Sequence, residues 1–337
     1  MMDMLYIRVD MNNVIATGHM MRCLSVADAA KEMGIETTFI VADEQALSLL
    51  ERRGYPAIVL NTKWDDMDSE LPVLKAVIED NNIETLLIDS YKVTEKYLSE
   101  LTAIVQTVYI DDLDAFIYPV TGLVCYANYW EKFGYEEKYQ DTKLFLGPAY
   151  APLRSVYKGC GAKHISEKVN NILLVSGGTD PYGILNKMLQ SLDKDKYKSI
   201  DVICGAYYTD DDVLREKYRE YENVNILKAV PDIEVYIKKA DLAVTAGGTT
   251  LYELCAAGTP ALSYSFADNQ LDNVRQFAKD EIIDYCGDVR YDDVISKMKE
   301  FLLQYQSSDL RKERSRKMQE LIDGNGAWRI VTAISEM

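Results

Sequence analysis

His19 stands where a base could do chemistry. It follows a short alternating run, Tyr6-Ile7-Arg8-Val9-Asp10, and a loop that closes on Thr17-Gly18. Behind it Met20, Cys23, Leu24, Ala27 and Ala30 recur at helical spacing, so a helix is expected to begin near His19. Strand, glycine-bearing loop and helix open a doubly wound α/β domain, whose ligands bind beyond the carboxyl ends of the strands. A helix N-terminus at that rim favours the neutral imidazole that a general base requires. The alternative for the same residue is a capping or buried histidine.

Further polar residues end the later strand-like runs: Asp89-Ser90-Tyr91 after Thr85–Ile88, and Asp111-Asp112 after Val105–Ile110. They share a rim with His19 if the strands are parallel. For the aspartate pair, turn or cap duty is the preferred reading. Farther along, Ser176-Gly177-Gly178-Thr179-Asp180 and Ala246-Gly247-Gly248-Thr249-Thr250 each lie between a strand and a helix. Glycine there lets backbone approach a ligand, and the following helix N-terminus offers unpaired N–H groups to phosphate. Neither loop is a Walker A or a dinucleotide G-x-G-x-x-G sequence, which disfavours ATP chemistry and NAD binding. Glu253, one turn into the second of these helices, is placed to accept from ribose hydroxyls or to serve as a first-turn acid. Phosphate at helix starts after Gly178 and Gly248, with ribose on a carboxylate, describes a nucleoside diphosphate site.

The elements that must position these residues alternate strand and helix over 337 residues, long enough for two domains. Strands are expected over 37–41, 57–60, 85–88 and 105–110, with helices over 44–53 and 71–79. A polar stretch with His164 inside it, 158–168, reads as a linker. A second α/β pattern then starts: strands over 172–175, 201–204, 224–227, 242–245 and 261–266, a helix over 251–257 stopped by Gly258, and one carrying Arg275. The tail from Asp292 is expected to be helical, with Leu310–Leu321 a solvated surface helix. The domains expected are 1–157, with His19 and the sugar site, and 169–337, with the nucleotide.

A hydrophobic content of 48% and a charged content of 27% suit a globular chain. The net charge of −17 argues against nucleic acid or an anionic membrane as partner. The six cysteines form no C-x-x-C pair and read as reduced thiols, hence a cytoplasmic location. With two histidines and no ligand-spaced neighbours, no metal and no other cofactor is expected.

The run Thr245-Ala246-Gly247-Gly248-Thr249-Thr250-Leu251-Tyr252-Glu253 through Gly258-Thr259-Pro260 resembles the nucleotide-binding domain of GT-B sugar-nucleotide enzymes, including the glycosyltransferase of peptidoglycan lipid II synthesis. Arg8-x-Asp10, Thr17-Gly18-His19-Met20-x-Arg22-Cys23-Leu24, Asp89-x-Tyr91, Ile110-Asp111-Asp112, Leu146-Gly147-Pro148-x-Tyr150-Ala151-x-Leu153-Arg154, Gly177-Gly178-Thr179-Asp180 and Asn269-Gln270 narrow it. Their order is similar to that of the UDP-2,4-diacetamido-2,4,6-trideoxy-β-L-altropyranose hydrolases of pseudaminic acid biosynthesis. The resemblance implies an α/β GT-B fold, two doubly wound Rossmann-like domains facing across a cleft, and metal-independent attack of water at the anomeric carbon. It implies catalytic roles for His19, Tyr91 and Asn269. Substrate contacts are implied at Arg8, Asp10, Gly18, Arg154, Gly178, Thr179, Gly248, Thr249, Thr250, Glu253 and Gln270. The implied partner is a UDP-linked diacetamido-trideoxy sugar, and a monomer is expected. One departure is Ala16, where the family usually has glycine. The alternatives are a GT-B glycosyltransferase using a UDP-sugar donor, a catalytically inactive nucleotide-sugar-binding protein, and a hydrolysing epimerase, which would want more acid–base groups.

Overall fold

The computed structural model describes residues 2–12, 14–15 and 17–337. Ala16 lies outside the described residues. Two compact units divide the chain, one formed by Met1–Ser155 with Gly324–Met337 and the other by Val156–Asp323.

The first unit is built on seven strands: β1 (Met4–Val9), β2 (Glu36–Val41), β3 (Ala57–Val59), β4 (Thr85–Asp89), β5 (Gln106–Ile110), β6 (Gly122–Cys125) and β7 (Lys143–Leu146). All pair in parallel, in the order β3-β2-β1-β4-β5-β6-β7. Central strands such as β4 are buried throughout, as the apolar run Leu86-Leu87-Ile88 requires of a sheet covered on both faces. The order reverses between β1 and β4, where Val9 pairs with Asp89. Chain leaving these two strands therefore diverges to opposite sides and opens a crevice. The helix Gly18–Glu32 begins at that crevice and buries Met20, Cys23, Leu24, Ala27 and Ala30, the stripe read from the sequence.

The second unit repeats the plan with β8 (Asn171–Val175), β9 (Ser199–Cys204), β10 (Val224–Lys228), β11 (Leu242–Ala246), β12 (Ala261–Ser265) and β13 (Asp284–Asp288). The order β10-β9-β8-β11-β12-β13 puts its reversal between β8 and β11, the strands that end in the two glycine loops. Its core gathers Ile172, Leu174, Leu185, Val202, Val244 and Leu262.

Three expectations are corrected. The helix Gly326–Ser335 belongs to the first unit, where it packs on the His19 helix, and Arg329 donates to the Ala149 carbonyl at 2.9 Å. Residues 158–168 are part of the second unit, because Gln319 donates to the Gly161 carbonyl at 3.1 Å and Lys163 to that of Lys238 at 2.7 Å. The charged helix Ser308–Leu321 is not wholly solvated, since it buries Arg311, which donates to the carbonyls of Tyr305 and Glu167 at 2.9 and 3.0 Å. His164 is exposed. Among the described residues no helix is long and apolar enough to cross a membrane.

Candidate functional site

In the first unit, the crevice between β1 and β4 brings His19 and Asp89 together. His19 is the second residue of its helix and 8% exposed; Asp89 ends β4 and is fully buried. His19 Nδ1 lies 2.6 Å from Asp89 Oδ1. Arg22 Nη2 lies 2.9 Å from the same Nδ1, but it donates to Asp89 Oδ1 at the shorter 2.5 Å. Two acceptors 2.6 Å apart would repel, so Nδ1 carries the proton and donates to the carboxylate. Nε2 then keeps its lone pair, and among the described residues it takes no hydrogen bond. Tyr91, 46% exposed, stands edge-on to the imidazole with ring centroids 4.5 Å apart. The arrangement is a carboxylate-oriented imidazole with one nitrogen free to accept a proton.

Arg22, Tyr126 and Asp112 complete the cluster. Arg22 donates through Nε and Nη2 to the two Asp89 oxygens, each at 2.5 Å. Its Nη1 donates to the Tyr126 hydroxyl at 2.8 Å and to Asp112 at 3.5 Å, and the Tyr91 hydroxyl donates to Asp112 at 3.0 Å. Burial alone would raise the Asp89 carboxyl, but Arg22 and then His19 hold it well below the usual carboxylate range. Burial pushes the Tyr126 hydroxyl up to about 12 against the pull of Arg22. Tyr91 is raised further, by burial and then by Asp112. The aspartate pair thus splits. Asp111 anchors a turn, accepting from the N–H groups of Leu113 and Asp114 at 3.1 and 2.9 Å and from the hydroxyls of Tyr118 and Tyr135. Asp112 joins the site.

Arg8 and Asp10 are elsewhere. Arg8 is 0% exposed; its Nε and Nη2 grip Glu70 at 2.8 and 2.7 Å, and Nη1 donates to Asp10 at 2.6 Å. Asp10 also accepts the Ala42 N–H at 2.7 Å, and Tyr97 donates to Glu70 at 2.7 Å. This enclosed network locks the ends of β1 and β2 to the helix Met67–Asp80, which gives both residues a structural role. Gly18 opens the His19 helix, and Arg154 is half-buried in the same unit.

In the second unit, a cavity of about 370 Å³ lies at the reversal of the sheet. Gly177, Gly178, Gly248, Thr249, Thr250 and Gln270 line it, with Ile203, Val230 and Phe266 as apolar wall. Gly177 has φ +86°, the left-handed region open to glycine, and a Cβ on Gly248 would meet nothing within 4 Å. Thr249 caps the helix Thr250–Ala257 without a side-chain bond. The N–H groups of Leu251 and Tyr252 go to the carbonyls of Gly248 and Thr249 at 3.2 and 3.0 Å, and the backbone of Gly248, Thr249 and Thr250 borders the cavity. The other helix is different. Its N–H groups at Ile184 and Leu185 are taken by Asp180, at 2.8 and 2.9 Å. Thr179 is exposed beside the cavity. Gln270 accepts the Phe266 N–H at 3.0 Å, Asn269 next to it is exposed, and half-buried Glu253 is not among the lining residues. Among the described residues no group of three His, Cys, Asp or Glu side chains is arranged to hold a metal.

Comparison with known proteins agrees with this layout. Residues 172–326 match the glycosyltransferase family 28 C-terminal domain. The chain is 24% identical over 259 residues to uncharacterized protein MJ1062 of Methanocaldococcus jannaschii, covering 73% of this chain and 52% of that one. It is 25% identical over 204 residues to the spore coat polysaccharide biosynthesis protein SpsG of Bacillus subtilis, covering 58% and 59%. The match thus spans little more than half the length of either relative. The crystal structure of Acinetobacter baumannii MurG superposes with a TM-score of 0.73 at 12% identity, covering 99% of this chain and 100% of that one. The chain therefore has the GT-B fold of two Rossmann-like α/β units, and residues 172–326 are similar to the glycosyltransferase family 28 C-terminal domain.

Proposed function

We propose that the chain is a UDP-sugar hydrolase, acting as a cytoplasmic monomer and releasing UDP and the free sugar. One observation carries the reading: His19 donates Nδ1–H to buried Asp89 and keeps Nε2 for a proton of the attacking water. As the water oxygen bonds to the anomeric carbon, the bond from that carbon to the diphosphate breaks and UDP departs with the electron pair. The second unit holds UDP, with its diphosphate at the start of the Thr250 helix and its ribose on Glu253. Tyr91 and Asn269 hold sugar or water. The substrate proposed is UDP-2,4-diacetamido-2,4,6-trideoxy-β-L-altropyranose, in pseudaminic acid or related nonulosonic acid biosynthesis, on the strength of the ordered motifs. Similarity to a spore coat polysaccharide biosynthesis protein supports a role in carbohydrate assembly.

The family 28 match favours a second reading, a glycosyltransferase using a UDP-sugar donor. Incubation with a panel of UDP-sugars, with and without acceptors, decides between them. Catalytic release of UDP without an acceptor is the expected result. Release that needs an acceptor would establish the transferase, and binding with no release would leave a nucleotide-sugar-binding protein.

A further inference from the structure

One guanidinium joins the supports of both groups in the first unit's site. Arg22 lies three residues after His19 and grips both oxygens of Asp89 at 2.5 Å, while its Nη1 reaches Asp112, the acceptor of the Tyr91 hydroxyl. We propose that Arg22 is a positioning residue: by neutralising Asp89 it keeps the His19 proton on Nδ1 and the lone pair on Nε2, and through Asp112 it seats Tyr91 against the ring. This rests on the reading of His19 as the base.

The charge balance explains why Arg22 is needed. Asp89 is fully enclosed, and a buried carboxylate without a countercharge is costly. With Arg22 present, the charges of Arg22 and Asp89 cancel. With Arg22 removed, the Asp89–His19 pair is left with a buried negative charge, and proton uptake from water relieves it. A proton on Asp89 would be donated to Nδ1 and leave the ring's own hydrogen on Nε2. A proton taken by the ring also sits on Nε2. Both outcomes occupy the atom that must accept from water. The other groups facing the pair do not replace Arg22. The Cys23 thiol, 3.5 Å from Asp89 Oδ2, is a weak donor, and Tyr91 and Tyr126 are neutral. Asp112, 3.5 Å from Arg22, deepens the negative charge.

Imidazole nitrogen NMR tests this directly, because the chain has two histidines and the other, His164, is exposed. His19→Asn identifies the His19 signals by their loss. At pH 7 the wild-type protein should show His19 with hydrogen on Nδ1 alone. Arg22→Gln should show hydrogen on Nε2 and lower kcat by roughly 100-fold, with KM for the UDP-sugar within about twofold. Arg22→Lys, which keeps the charge without the fork, should retain the wild-type tautomer and recover part of kcat. That variant also carries the test if Arg22→Gln does not fold. Hydrogen on Nε2 in the wild-type protein or in Arg22→Lys, or an Arg22→Gln protein that keeps the wild-type pattern, would overturn the proposal. A protein with the expected tautomers that releases no UDP would instead defeat the hydrolase reading and leave the Arg22 lock standing.

Discussion

Asp180 sets both carboxylate oxygens on backbone N–H groups of the helix that follows it, at 2.8 Å to Ile184 and 2.9 Å to Leu185. A side-chain carboxylate thus occupies the anion position at that helix start, which supports the proposal that the diphosphate meets the Thr250 helix instead. Asp180→Ala should lower stability by about 0.5–2 kcal/mol, the usual cost of a lost cap, with little change in UDP affinity. Gly248→Val should fold, because the space at its Cβ is open, yet its side chain enters the cavity. A loss of UDP affinity of at least roughly tenfold, about 1.4 kcal/mol, is expected by calorimetry. The opposite pattern would return the diphosphate to the first glycine loop.

Glu253 sits in the first turn of the Thr250 helix, half-buried. If it accepts from the ribose, Glu253→Ala weakens UDP binding by roughly 1.5–3 kcal/mol, the range for a charged hydrogen bond. Calorimetry on the full chain reads this, and unchanged affinity with a lowered melting temperature would make Glu253 a helix-dipole acid only.

Arg8→Met should unfold the protein more readily without touching UDP affinity. The substitution strands Glu70 and Asp10 in an enclosed site, and leaving a buried charge unpaired costs about 3–5 kcal/mol. Thermal melting of the single variant and of Arg8→Met with Glu70→Leu measures it, the double variant recovering part of the loss. A normal melting temperature with reduced turnover would restore Arg8 as a substrate contact.

Much of this layout was legible because parallel strands and amphipathic helices carry strong periodic signals, as in the stripe behind His19 and the runs ending at Asp89 and Ile110. Three strands were not anticipated. β6 and β7 have four residues each, too few for a period to register, and the edge strand β13 reads Asp-Tyr-Cys-Gly-Asp, with poor strand formers and Gly287 at φ +111°. The placement of Gly326–Ser335 was illegible for another reason: periodicity marks a buried face without naming its partner. Arg8 and Arg22 show the same limit for charge. Arg8 was expected to contact substrate and Arg22 was given no role, but Glu70 lies 62 positions from Arg8 and Asp89 lies 67 from Arg22, and only the fold brings either pair together.

Turnover should persist in excess EDTA. In the proposed reaction the diphosphate charge is met by backbone N–H groups at the Thr250 helix start, and the proton is handled by His19. UDP release assayed before and after chelation reads this, and activity that vanished with EDTA and returned with Mg²⁺ would require a different mechanism.

His19→Asn separates the base from a mere cap. The asparagine amide donates to Asp89 as Nδ1–H does, so the buried carboxylate keeps a donor and the fold is expected to survive. It offers no basic nitrogen, so kcat should fall on the order of 10²–10⁴-fold. UDP affinity should stay near that of the wild-type protein, because the cavity proposed for UDP belongs to the second unit. A histidine that only closes the start of its helix, where Thr17 gives no side-chain cap, would behave otherwise. Its replacement would lower the melting temperature and leave turnover per folded molecule largely unchanged. Measuring kcat, UDP affinity and melting temperature on one preparation distinguishes the two, and near-normal kcat in a well-folded His19→Asn protein would remove His19 from the chemistry.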